Sequence, residues 1–258
     1  MIMMTEQMKY ERLKENLNRL GLRGIEINLD DYLGLIEKKE KSVTEALCEL
    51  TDIELKLMED RSFRGCVKAA NFPFLKTMED FDFSFQPTIN REMMYGFKRL
   101  DFLNEGKNIL FIGSPGVGKT HLSISIGIEA AKNRKSTYFV NCNELLMHLK
   151  KAKIENRLES RLKHFARYKV LIIDEVGFLP MDPESSKLFF QLIAKRYEKP
   201  STSTIITTNI ELAKWDEIFE DAVLANAILD RLLHHSEIFK IVGDSYRLKD
   251  KQFEFRED

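Results

Sequence analysis

The segment Gly113-Ser-Pro-Gly-Val-Gly-Lys-Thr-His-Leu122 sets three glycines ahead of a lysine and a hydroxyl, a spacing that can hold phosphate. Gly113, Gly116 and Gly118 let a tight loop turn successive backbone N–H groups inward. Lys119 can then reach the β- and γ-phosphates of a nucleotide, and Thr120 can offer its hydroxyl to Mg²⁺. Ser114, Pro115, Val117 and His121 complete the expected cradle, which opens a helix whose unpaired N–H groups and dipole favour an anion. Downstream, the apolar run Lys169-Val-Leu-Ile-Ile-Asp-Glu175 closes on two adjacent carboxylates. Such a pair divides its roles: Asp174 is placed to hold the Mg²⁺ that bridges phosphates, and Glu175 to orient the water that attacks the γ-phosphate. A third run, Ser203-Thr-Ile-Ile-Thr-Thr-Asn209, ends in an uncharged amide that can hydrogen-bond the γ-phosphate or that water. Each motif alone has a plainer reading: a ligand-free glycine turn, a solvated acidic turn, a turn-forming asparagine. Their succession in one chain favours phosphate chemistry.

The elements that must position these residues are legible in the hydrophobic patterning. Strands are expected at 109–112, 137–140, 170–174, 203–207 and 237–241, and helices at 120–132, 143–168, 184–197 and 223–234. Short β-branched strands alternating with helical crossovers imply an α/β fold, a parallel sheet sandwiched by helices with its ligand at the carboxyl ends of the strands. All three motifs fall at those ends. Ahead of this core, Leu13, Leu17 and Leu20 before Gly21, and then Val43, Leu47, Leu50, Leu57 and Met58, recur at roughly helical spacing among charges. The organisation expected is a small all-helical N-terminal module over 1–70, an aromatic, proline-punctuated linker over 71–87, and the core over 88–258.

Several segments in order carry a resemblance: Gly113 to Leu122, Leu171-Ile-Ile-Asp-Glu-Val-Gly177, Ile206-Thr-Thr-Asn209, Leu229-Asp-Arg-Leu-Leu-His234 and Gly243-Asp-Ser-Tyr-Arg-Leu248. With Ala70-Asn-Phe-Pro-Phe-Leu-Lys-Thr-Met-Glu-Asp-Phe-Asp-Phe83 ahead of them, the chain resembles the AAA+ ATPases, in the initiator and helicase-loader branch typified by DnaC and DnaA. The resemblance is nearest to the IstB-like transposition-helper ATPases and runs over nearly the whole chain. It implies a P-loop NTPase that binds ATP and Mg²⁺, with Gly113 to Thr120 as Walker A, Asp174 and Glu175 as Walker B, and Asn209 as sensor I. It makes Arg231 the candidate arginine finger: a guanidinium keeps its charge and offers a planar fork of donors, so a neighbouring subunit can use it at the γ-phosphate. A local ion pair with Asp230 or Glu237 is the alternative. Arg247 resembles the arginine at the end of the loader core and is placed either to approach the nucleotide or to lie on the surface. Only a short tail follows it, a departure from AAA+ proteins that carry a helical lid there. The resemblance also implies a protein that forms ATP-dependent homo-oligomers on duplex DNA, largely without sequence preference, and recruits or activates the transposase of the same element. A DnaC-like loader of a replicative helicase shares the core motifs and is the second reading. In either case the N-terminal module serves assembly or partner contact, or caps the core, and the stretch 72–85 lies by the adenine.

The charge balance, net −1 over 258 residues, argues against uniform basicity, so any DNA site must be a local patch. Lys150, Lys151, Lys153, Arg157, Arg161 and Lys163, continued by Arg167 and Lys169, supply one, with only Glu155 and Glu159 as acids in the same stretch. Clustered cations bind phosphate by counterion release and read little sequence. In the initiator and loader branch an extra helix near this point lines the DNA channel, although the interleaved charges also suit an ordinary solvated helix. Lys132, Arg134 and Lys135 form a weaker second patch. Cys48, Cys66 and Cys142 lack paired spacing and read as small core residues in a reducing compartment. His234-His235 has no partner ligands for a metal. The polar residues from Met1 to Tyr10, and the lack of a long apolar run, point to a cytoplasmic protein without a membrane partner. A small-molecule P-loop kinase would need an acceptor pocket and a lid arginine of its own; Asn209, Arg231 and the basic patch argue against it.

Overall fold

The computed structural model describes residues 5–249; the first four residues of the expected N-terminal module and the last nine of the expected core, 250–258, lie outside them. The chain divides into two compact units after Gly65. The first contains α1 (Glu6–Leu20), α2 (Arg23–Glu37) and most of α3 (Val43–Ala69). Local sequence sets the ends. Thr5 Oγ1 accepts from Met8 N–H at the start of α1, and Gly21 closes the helix in a left-handed turn. Ser42 and Glu45 form a reciprocal capping box at α3, each side chain accepting from the other's backbone N–H at 3.2 and 2.8 Å. Leu22 cannot cap α2, and Glu54 does so instead: its buried carboxylate accepts from the N–H groups of Gly24 and Ile25 and pairs with Arg61 at 3.4 Å. Of the apolar positions that signal these helices, Leu17 and Leu50 are buried, whereas Leu13, Leu20, Val43, Leu47 and Met58 are exposed.

The second unit is an α/β sandwich. Two short helices, α4 (Arg91–Gly96) and α5 (Asp101–Asn104), lead into β1 (Asn108–Gly113). Then follow α6 (Lys119–Lys132), β2 (Thr137–Asn141), α7 (Cys142–Ile154), α8 (Leu158–Ala166), β3 (Val170–Val176), α9 (Pro183–Tyr197) and β4 (Ser203–Thr208). The unit continues with α10 (Trp215–Phe219), α11 (Ala222–Leu233) and β5 (Ser236–Ile241). All ladders are parallel, in the order β2-β3-β4-β1-β5. The central strands are buried on both faces, which explains why they read as continuous apolar runs. One core joins Leu110, Leu171, Ile173 and Ile206 of the sheet to Leu145, Phe165, Phe189, Trp215 and Ile228 of the flanking helices.

Several features differ from the sequence expectation, the unexpected short helices α4 and α5 among them. The single helix expected over 143–168 is two helices. Asn156 takes a left-handed backbone (φ 53°), and Arg157 N–H reaches back to Ala152 O at 2.7 Å, closing α7. Asparagine adopts that conformation at low cost, so it ends the helix inside an unbroken helical charge pattern. The structure also adds α10, whose Trp215 and Phe219 are fully buried in a segment with too few residues for a periodic signal. Of the cysteines read as core residues, only Cys142 is buried, and burial pushes its thiol up to about 12; Cys48 is exposed and Cys66 half-buried. Arg196 of α9 is buried without a carboxylate partner among the described residues. It donates to Thr204 Oγ1 at 2.8 Å, Tyr168 O at 2.9 Å and Ser203 O at 2.6 Å, pinning α9 to the segments that feed β3 and β4.

Candidate functional site

The motifs meet in one cleft of about 880 Å³ at the carboxyl ends of the strands. Because β4 lies between β1 and β3, its tip emerges between the glycine loop and the acidic pair. Pro115 to His121 line the cleft, whereas Gly113 and Ser114 do not. Gly118 has φ 99°, and a Cβ there would run into the ring of Phe81, so only glycine lets the loop turn under the linker. Lys119 folds onto its own loop, Nζ donating to Gly113 O at 2.7 Å and Ser114 O at 2.8 Å. Burial pushes the Lys119 ammonium pKa down, against the pull of Asp174 and Glu175. An anion in the loop reverses that penalty.

Thr120 Oγ1 donates to Asp174 Oδ1 at 2.9 Å, the pairing expected for two ligands of one Mg²⁺. Asp174 is only 6% exposed, and its oxygens accept from hydroxyls alone, from Thr120 and from Thr207 at 2.5 Å. Burial raises its pKa, with these hydrogen bonds opposing the rise. A buried carboxylate beside a hydroxyl, both oxygen donors, fits a hard divalent cation that takes its remaining ligands from phosphate and water. Among the described residues no cluster of three His, Cys, Asp or Glu stands ready to hold a metal by itself.

Glu175 occupies a left-handed backbone position (φ 60°) at an irregularity where the β3–β4 register shifts. Strain of this kind re-aims a side chain at the end of a strand. Thr207 Oγ1 anchors the turn by accepting from Glu175 N–H at 2.9 Å, and the carboxylate accepts from Asn141 Nδ2 at 2.7 Å. Asn141 is also the N-cap of α7, its Oδ1 accepting from Asn143 N–H at 3.0 Å. One amide therefore joins the start of α7 to the carboxylate that faces the cleft.

Asn209 and Arg247 both line the cleft, as does His121, whose Nε2 donates to Thr77 O at 2.7 Å with its ring edge-on to Phe81. Arg231 is elsewhere, near the end of α11 and ahead of β5, toward the amino ends of the strands. It makes neither local ion pair considered for it. Its Nη1 donates to Ala227 O at 2.8 Å, its guanidinium lies 4.9 Å from the Phe190 ring, and Glu237 pairs with Lys107 instead. The basic stretch also meets more acid than its own sequence contains. Asp182 and Glu184, at the start of α9, pair with Lys150 and Lys153, because acids favoured at a helix N-terminus here face the basic end of α7. Arg157 pairs with Glu155 and Lys163 with Glu159, while Arg161 stacks on Phe165 and Lys151 is exposed.

Sequence reasoning missed Asn141 and Thr207. Asn141 and Thr207 are uncharged residues at strand tips, and their position beside Asp174 follows only from strand order. The signal available was placement: Asn141 ends one strand immediately before a helix, and Thr207 precedes Asn209 on another.

The fold and the cleft define a P-loop nucleotide-binding protein of the AAA+ kind. The chain belongs to the family of IstB-like ATP binding proteins, which matches residues 15–253. It is 54% identical over 241 residues to a Bacillus thuringiensis subsp. berliner protein named for ATP binding and for insertion sequence IS232, covering 93% of this chain and 96% of that one. A similarly named IS21 protein of Pseudomonas aeruginosa is 43% identical over 236 residues, covering 92% and 88%. Among solved structures, the DnaC helicase loader matches with a TM-score of 0.52 at 27% identity, over 59% of this chain and 88% of that one. AMPPCP-bound DnaA from Aquifex aeolicus matches in fold, with a TM-score of 0.57 at 18% identity over 69% and 54%.

Proposed function

We propose that this protein is an ATPase that assembles on duplex DNA and recruits or activates the transposase of its own mobile element. The observation that carries the proposal is the single cleft in which Lys119, Thr120, Asp174, Glu175 and Asn209 converge, in a chain whose high-identity relatives are named for insertion sequences. Lys119 binds the β- and γ-phosphates at the N-terminus of α6. Thr120 and Asp174 hold Mg²⁺, which neutralises phosphate charge when bound. Glu175 orients water once its carboxylate leaves Asn141, and Asn209 contacts the γ-phosphate side. Arg231 faces away from its own cleft and completes the site of a neighbouring protomer, so ATP bridges subunits. Arg247 meets the nucleotide at the cleft rim.

Duplex DNA binds across α7 and α8 through Lys150, Lys151, Lys153, Arg157, Arg161 and Lys163, with Lys151 contributing most because the acids of α9 already occupy Lys150 and Lys153. DNA on α7 acts on the helix that Asn141 caps, a direct path from DNA to Glu175. We place the protein in the cytoplasm; no helix among the described residues is long and apolar enough to cross a membrane. The likeness to DnaC keeps a helicase loader as the second reading, but it spans 59% of the chain, whereas the relatives named for insertion sequences span more than 90%, the N-terminal helices included. The test is duplex binding by anisotropy with and without ATP, followed by addition of the transposase or of a replicative helicase. ATP-dependent duplex binding and capture of the transposase are expected; capture of the helicase alone would establish the loader.

A further inference from the structure

A separate cavity of about 250 Å³ lies at the amino ends of the strands, lined by Arg196, Lys199, Arg231, His234 and His235 and by no carboxylate. Arg231 reaches it from α11 in a constrained conformation. Its guanidinium sits over the Phe190 ring of α9, 4.9 Å from the centroid, and its Nη1 donates to Ala227 O at 2.8 Å, one turn back along its own helix. Phe190 is half-buried and packed against the main core, so the ring is itself fixed. One face and one corner of the guanidinium are thereby engaged. Among the described residues Nε and Nη2 have no hydrogen-bond partner, and no acid pairs with this side chain. Those two nitrogens form the side-on edge of the fork, which can grip two oxygens of one anion.

We propose that Phe190 is the positioning residue for Arg231: its ring, with the Ala227 carbonyl, fixes the guanidinium so that the Nε–Nη2 edge is presented to the terminal phosphate of ATP in a neighbouring protomer. The inference deepens, and rests on, the reading of Arg231 as the group that completes that protomer's site. A freely rotating arginine surrenders rotamer freedom each time it engages a phosphate, whereas one already held in place loses less. The ring attracts the cation without offering an acceptor that competes with phosphate for the fork. A carboxylate in the same place would hold the guanidinium by occupying its donors, and the cavity supplies none. Phe190 does not border the nucleotide cleft of its own protomer, so its effect on turnover runs through Arg231.

The test measures ATP turnover, ATP affinity and assembly size, with duplex DNA present, for the full-length wild type and for Arg231→Ala, Phe190→Met and Phe190→Tyr. Methionine keeps apolar volume at this half-buried position and removes the ring; tyrosine keeps the ring. Phe190→Met is expected to lower kcat about 10-fold at unchanged ATP affinity and assembly size, the effect of one lost cation–π contact, and Phe190→Tyr to retain wild-type turnover. Mixed with Glu175→Gln, whose Arg231 is still held by its ring, Phe190→Met is expected to regain turnover, because the neighbour then supplies the arginine. In the Arg231→Ala background, Phe190→Met is expected to have no further effect. Wild-type turnover by Phe190→Met would overturn the proposal. So would a purely structural outcome, in which ATP affinity or assembly falls together with turnover, tyrosine fails to preserve it, or mixing with Glu175→Gln recovers nothing. Full turnover by Arg231→Ala would instead refute the reading of Arg231 beneath it.

Discussion

At the scale of single residues, the cleft separates binding from turnover. Lys119→Ala removes the cation facing the β- and γ-phosphates and is expected to abolish ATP binding in calorimetry, whereas Glu175→Gln keeps the shape and contacts of the site and is expected to bind ATP while turnover falls at least 100-fold. Normal turnover by Glu175→Gln would remove that carboxylate from its assigned role. Asn141 makes the opposite prediction. Its amide occupies a Glu175 oxygen at 2.7 Å, so Asn141→Ala is expected to raise basal turnover without DNA several-fold and to narrow the gap between basal and DNA-stimulated rates. The same substitution removes the α7 N-cap, at a cost of about 1 kcal/mol measurable by urea denaturation. Unchanged basal turnover would mean that the hydrogen bond does not restrain Glu175.

At the scale of elements, strand order makes the site. Inserting β4 between β1 and β3 delivers Thr207 and Asn209 between the glycine loop and Asp174, so three sequence motifs become one cleft. The strands were legible because both sheet faces are covered, giving β-branched runs bounded by polar residues. The break at Asn156 was not, since a left-handed asparagine leaves the periodicity of its neighbours undisturbed. Nor was the neutralisation of Lys150 and Lys153, because Asp182 and Glu184 approach from another helix. Charge patterning along one segment sees only its own acids. The structure therefore ranks the patch: Lys151→Glu is expected to weaken duplex binding for all sequences alike and to flatten its salt dependence by about one unit of slope. Lys150→Glu is expected to lower stability as well, by placing a like charge against Asp182. Unaltered affinity in Lys151→Glu would move the DNA surface away from α7.

At the scale of the whole molecule, carboxylates paired with lysines shape the acid response, Glu79 and Asp182 among them. Lys98 holds Glu79 down at about 2, and Lys150 holds Asp182 at about 2. A folded-state pKa below the unfolded one stabilises the protein above the ordinary carboxylate range, and that stabilisation is lost as pH falls through the folded pKa. Thermal melts are thus expected to shift downward from about pH 4.5 toward pH 2, less steeply in Lys98→Met and Lys150→Met. The proposed sharing of the active site between protomers sets the larger expectation. Arg231 lies far from its own cleft in strand terms, at the amino rather than the carboxyl ends, and under the proposed function it completes the site of a neighbouring protomer. The most direct measurement is ATP turnover together with particle size, with and without duplex DNA, for the wild type and for Arg231→Ala. Turnover that rises with DNA as large ATP-dependent assemblies form, and that Arg231→Ala loses while still binding ATP, is the result expected. Full turnover by a monomer, indifferent to DNA and to the loss of Arg231, would contradict it.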